Sequence, residues 1–85
     1  MDGIAIMDSG NQALMLCRVL ERKGYVFEVT STPCQIAKGG CSYCLRFPLK
    51  YKDLVLQQAQ INNITIREIY RVERNQMKYK YIKIY

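Results

Sequence analysis

Three of the four cysteines in this chain fall within eleven residues, Cys34-Gln35-Ile36-Ala37-Lys38-Gly39-Gly40-Cys41-Ser42-Tyr43-Cys44. A thiolate is both a nucleophile and a soft metal ligand. Clustered cysteines on a glycine-containing loop therefore point to sulfur or selenium transfer, redox exchange or metal binding. The chain has no histidine, which removes Ser-His-Asp and Cys-His arrangements. Its carboxylates, Asp2, Asp8, Glu21, Glu28, Asp53, Glu68 and Glu73, form no recognisable acid–base pair. Gly39-Gly40 before Cys41 lacks the lysine and hydroxyl of a phosphate loop. No independent hydrolase or oxidoreductase site and no cofactor are indicated, so any enzymatic role is at most that of a sulfur or selenium transfer component.

Within the cluster, Gly39-Gly40 frees the backbone to present Cys41, and Lys38 and Arg46 flank it. Nearby cations favour the thiolate, which makes Cys41 the expected reactive thiol. In the strand that follows, Leu45 and Phe47 share one side, read as the core side, and Cys44 and Arg46 share the other. This phase predicts Cys44 near the surface. It also makes Cys44 a better resolving thiol than Cys34, which follows the rigid Pro33.

Three chemistries fit these residues. Cys41 can hold sulfur or selenium as a persulfide or selenosulfide, which Cys34 or Cys44 then expels. Alternatively, Cys34, Cys41 and Cys44 can bind zinc or an iron–sulfur cluster, although only Cys41-x-x-Cys44 has a common ligand spacing. In the third, the cysteines are incidental to a noncatalytic interaction module. The first is preferred, with no resident metal.

The elements that must position the cluster follow from periodicity. Residues 3–7 form an apolar strand, and Asp8-Ser9-Gly10-Asn11 suits its exit and a helix cap. Ala13, Leu16, Cys17 and Leu20 recur at helical spacing before Gly24 stops the helix, which assigns Cys17 to the core. Residues 25–30 alternate as a second strand, broken by Ser31-Thr32-Pro33. After the cysteine loop, residues 45–47 make a short third strand. Pro48 opens a second helix with Tyr51, Leu54, Val55 and Ala59 on one face, ended by Asn62-Asn63. Residues 64–72 form a fourth strand, in phase at Ile64 and Ile66 before the pattern slips. Residues 77–85 alternate lysine with tyrosine or isoleucine, as an extra C-terminal strand joined through residues 73–76.

The order βαββαβ predicts an α+β, ferredoxin-like fold: an antiparallel sheet with two helices on one face and the other face open. Residues 1–72 would form the domain proper and residues 73–85 a basic Tyr/Lys-rich strand or tail.

The net charge of +6 is concentrated late in the chain, in Arg67, Arg71, Arg74, Lys78, Lys80 and Lys83. Such a strip attracts RNA, anionic molecules or an acidic protein. The simpler reading, lysines guarding an edge strand, is favoured over nucleic acid. The terminal strand is also a candidate homodimer contact. No run of about 18 apolar residues can cross a bilayer, and the amino terminus does not resemble a secretion signal. Four cysteines beside ordinary hydrophobic content fit reduced thiols in a cytoplasm.

The path Ile4-Ala5-Ile6 through Ser9 and Ala13, the strand ending at Thr32-Pro33, and Cys41 followed by Leu45-Arg46-Phe47 resemble the Se/S carrier protein-like family over residues 4–72. The resemblance implies a domain that occurs alone or fused to a small sulfurtransferase domain, with sulfur or selenium donor and acceptor proteins as partners. It implies that Cys41 carries the chalcogen, with Pro33 as loop boundary and Arg46 as a neighbouring basic residue. The family's usual Cys-Gly is Cys41-Ser42 here, and Cys34 and Cys44 lie outside its pattern.

Overall fold

Ile4, Ala5 and Met7 are all buried in the first strand, β1 (Asp2–Met7), because β1 is the central strand of a sheet packed on both faces. A computed structural model describes residues 1–37 and 43–85. It contains β1, α1 (Gly10–Arg22), β2 (Glu28–Ser31), β3 (Tyr43–Pro48), a 3₁₀ turn (Leu49–Tyr51), α2 (Lys52–Ile61), β4 (Ile66–Asn75) and β5 (Lys78–Lys83). This is an α+β arrangement of five strands and two α-helices, the strands ordered β2-β3-β1-β4-β5 with every neighbouring pair antiparallel.

The helix ends follow from their residues. Ser9 caps α1, its hydroxyl accepting from the Gln12 amide at 3.3 Å. Gly24 takes a positive φ of 93°. The Tyr25 amide then reaches back to the Leu20 carbonyl and the Gly24 amide to Glu21, the paired bonds of a Schellman motif. Asn63 (φ 57°) closes α2 the same way, with Ile64 bonding to Ala59 and Asn63 to Gln60. The second helix starts later than Pro48 suggested. Pro48 ends β3 in an extended conformation, and one 3₁₀ turn intervenes before Lys52.

Both helices pack on one face of the sheet. Leu16, Leu20, Val55 and Ala59 meet Ala5, Leu45, Phe47 and Ile69 there, and Cys17 joins this core, its thiol donating to the Phe27 carbonyl at 3.4 Å. The slip in the β4 pattern is a bulge: Ile6 pairs with Glu68 but Met7 with Ile66, which leaves Arg67 over. The bulge keeps Ile66 and Ile69 on the helix side while turning Tyr70 and Val72 to the other.

The second strand is shorter than residues 25–30, because the ladder starts at Glu28, paired with Arg46. Two residues further, residue 26 would face Pro48, which has no N–H to donate. Tyr25 and Phe27 instead cluster with Tyr51 and Phe47, at centroid separations of 5.3–6.2 Å. The fourth strand runs past residue 72 to Asn75, and the terminal strand pairs with it inside the chain.

The β4–β5 connection is a two-residue turn, Gln76-Met77, between paired Asn75 and Lys78, with φ of 51° and 74°. Two positive φ values give the type I′ geometry that suits hairpin twist and strains a residue with a Cβ. Met77→Gly should therefore raise stability by up to about 1 kcal/mol in chemical denaturation.

Candidate functional site

The face expected to be open is covered at its centre. Ile4, Ile36, Cys44, Tyr70 and Val72 form a second buried cluster there, flanked by Ile6 and Tyr81. Ile36 comes from the segment following β2, where the Ile36 and Ala37 amides both bond the Pro33 carbonyl to form a turn. This turn lays residues 32–37 across the helix-free face. The cysteine loop thus begins on that face, beside the end of β1 and the start of β3.

Cys44 is not near the surface. Its phase is as read, opposite Leu45 and Phe47, but it is 0% exposed. Strand alternation fixes the side a residue faces and not what lies over that side, and here Ile36 and Thr32 lie over it. Burial pushes the Cys44 thiol above its ordinary value of 9.0, opposed by a hydrogen bond with Thr32 and by the Arg46 cation. A buried thiol that resists ionisation is a poor attacking group. Cys34, on the turn, is exposed. Of these two cysteines, Cys34 is the exposed one and Cys44 the buried one, which corrects the surface position that strand phase predicted for Cys44. Cys41 and Lys38 lie outside the described residues.

Arg46 is tied to Asp2, its Nε and Nη2 reaching one carboxylate oxygen at 2.9 and 2.8 Å. That pairing, the largest influence on it, pushes the guanidinium further toward its charged form. Partly neutralised and half-exposed, Arg46 is a positioned cation at the β3–β1 step. Across β4, Tyr70 donates to Glu68 at 3.2 Å, and its phenol is pushed above 10.0 by burial first and by Glu68 second.

The chain rejoins the described structure at Tyr43, whose ring lies over the start of α1. A Cβ at Gly10 would meet that ring at 2.9 Å, so only glycine allows the approach. The ring borders a hollow of about 400 Å³ with Leu14, Val29, Ser9 and Asn11. Sequence reasoning missed Ile36 as the residue that seals Cys44. Its one signal was a lone large aliphatic inside an otherwise polar and small-residue loop. Among the described residues, no three Cys, Asp or Glu side chains gather as a metal-ligand group.

A family model described as Putative Se/S carrier protein-like matches residues 2–71, from the first strand through the whole cysteine segment and into β4. The chain belongs to that family. No curated protein and no solved structure matches it. For this member of the Se/S carrier protein-like family, the match places Cys34, Cys41 and Cys44 all inside the shared region, while β5 lies beyond it. No helix among the described residues is long and apolar enough to cross a membrane.

The raised thiols and phenol make an expectation for pH. Cys17 is pushed up by burial first and by Glu21 second, in the same direction as Cys44 and Tyr70. Unfolded, the thiols ionise near 9.0 and the phenol near 10.0, whereas the folded groups stay neutral to higher pH. Their contribution is fully present below the unfolded values and is lost as pH rises through the folded ones. Denaturation midpoints should be flat to about pH 8 and fall above it, and Cys44→Ala should blunt the fall.

Proposed function

We propose that this protein carries sulfur or selenium on Cys41, as a persulfide or selenosulfide, and that Cys34 releases it. The observation that carries the reading is the family match over residues 2–71, which includes Cys41. The exposure of Cys34 and the burial of Cys44 support the assignment of the releasing thiol. The strand order β2-β3-β1-β4 with both helices on one face supports a ferredoxin-like reading of the first four strands.

In loading, the Cys41 thiolate attacks the terminal sulfur of a donor persulfide, or the selenium of its selenium analogue. A new S–S or S–Se bond forms on Cys41, the donor's own bond breaks, and the donor leaves as a thiolate. In release, the Cys34 thiolate attacks the Cys41 sulfur. A Cys34–Cys41 disulfide forms and hydrosulfide or hydroselenide departs with the bonding electron pair. The cargo atom is reduced and the two cysteines are oxidised, and an external thiol returns them to the starting state. A donor protein and an external thiol are what this cycle requires, and an acceptor protein takes up the hydrosulfide or hydroselenide that it releases.

Intact mass after incubation with a small-molecule persulfide should show one added sulfur per chain, lost on addition of excess thiol. A chain that instead takes up one equivalent of zinc under reducing conditions, and no sulfur from the donor, would replace carriage with the metal-binding alternative on Cys34, Cys41 and Cys44.

A further inference from the structure

β4 outruns β1. The last pair between them is Asp2 with Val72, and beyond it Glu73, Arg74 and Asn75 pair only with Lys80, Tyr79 and Lys78 of β5. Residues 73–80 therefore project as a two-stranded arm, exposed at every position from 74 to 80, with Met77 at the tip 93% exposed. β5 is an edge of the sheet, so its outer main-chain donors and acceptors face solvent along six residues.

Over residues 78–81 the side chains of this edge divide by face, with Ile82 following on the lysine side and Lys83 on the tyrosine side. Lys78 and Lys80 point to one face, and Tyr79 and Tyr81 to the other, the latter packing beside the cluster that holds Cys44. Every charged residue of β5 is a lysine. Lys83 is held by Glu68 at 3.2 Å, and Glu73, across from Lys80, is taken by Arg71 at 3.4 Å. Arg74, Lys78 and Lys80 have no acidic partner among the described residues.

We infer that β5 is a docking edge for an extended segment of a partner protein that alternates acidic and apolar residues. Added antiparallel or parallel to Lys78–Lys83, such a strand bonds through its main chain and sets its carboxylates against Lys78 and Lys80. Its apolar side chains then lie against Tyr79 and Tyr81. The same lysines disfavour a second copy of this chain, because each copy carries a net +6 and contributes three lysines to the joint. An RNA would use the cations but leave the strand edge unpaired. The edge and the cysteine loop are separate features, so the inference stands or falls apart from chalcogen carriage.

The full chain is titrated with a labelled peptide alternating glutamate and valine, followed by fluorescence anisotropy and amide hydrogen exchange. Saturable binding is expected, weakening as salt rises, with slowed exchange in β5. The double variant Lys78→Glu, Lys80→Glu should bind about tenfold more weakly with unchanged circular dichroism, and Cys41→Ser should bind as the parent does. Equal binding of a proline-interrupted peptide of the same charge would overturn the inference, since that peptide cannot add a strand. So would unchanged exchange in β5, tighter binding of polyuridylate than of the peptide, or a free chain that is already dimeric with β5 protected.

Discussion

Cys41→Ser protein exposed to a persulfide donor should acquire no sulfur, and Cys34→Ser protein should load fully but hold its cargo. The first expectation rests on the proposal that Cys41, which lies within the matched region, is the carrier residue. The second rests on access. Release needs a thiolate that can reach the Cys41 sulfur, and Cys34 is the exposed candidate, on a turn seven residues upstream. Cys44 is only three residues away in sequence but fully buried, with its ionisation opposed by that burial. Release from Cys34→Ser should slow at least about tenfold under limiting external thiol, and release from Cys44→Ser should match the parent. Time-resolved intact mass reads both. Slow release from Cys44→Ser with normal release from Cys34→Ser would return the resolving role to Cys44.

The second large effect concerns thiol accessibility itself. In the native protein, Cys44 can meet an alkylating reagent only when residues 32–37 lift from the helix-free face. Lifting them exposes Ile36, Ile4, Tyr70 and Val72. Opening that costs about 3 kcal/mol holds the reactive population near one in a hundred. Cys44 should thus label at least about a hundredfold more slowly than Cys34, and the gap should close in denaturant. Ile36→Ala should narrow it selectively, by removing the side chain that seals the cysteine, while the distant Cys17 stays protected in the helix-side core. Peptide mapping of a labelling time course distinguishes the three sites. Equal native rates for Cys34 and Cys44 would refute the covered face.

Much of this arrangement was legible from residue types. Ser9 and Gly24 marked the ends of α1 because capping and left-handed backbone are local requirements that few residues meet. The slip after Ile66 announced the bulge, since a one-residue insertion leaves its trace in the alternation. The late start of α2 and the short β2 both trace to Pro48. The proline was visible, but its effect on the strand opposite depended on register, which no single segment encodes. The cysteine site was the least legible for the same reason. The alternation of β3 assigned Cys44 its face correctly, while its burial came from Ile36, a residue in a nonperiodic turn that reaches the sheet only in the fold. Exposure followed from tertiary contact, so Cys44 is buried where strand phase alone predicted a surface position.

The central claim, a chalcogen held on Cys41, is tested most directly by tandem mass spectrometry of the parent chain. The protein is loaded with a persulfide donor, trapped at once with an alkylating reagent and digested. The account predicts one additional sulfur on the peptide that contains Cys41, with Cys34 recovered as an ordinary alkylated thiol. Additional sulfur distributed over Cys34 and Cys44, or absent from Cys41, would contradict it.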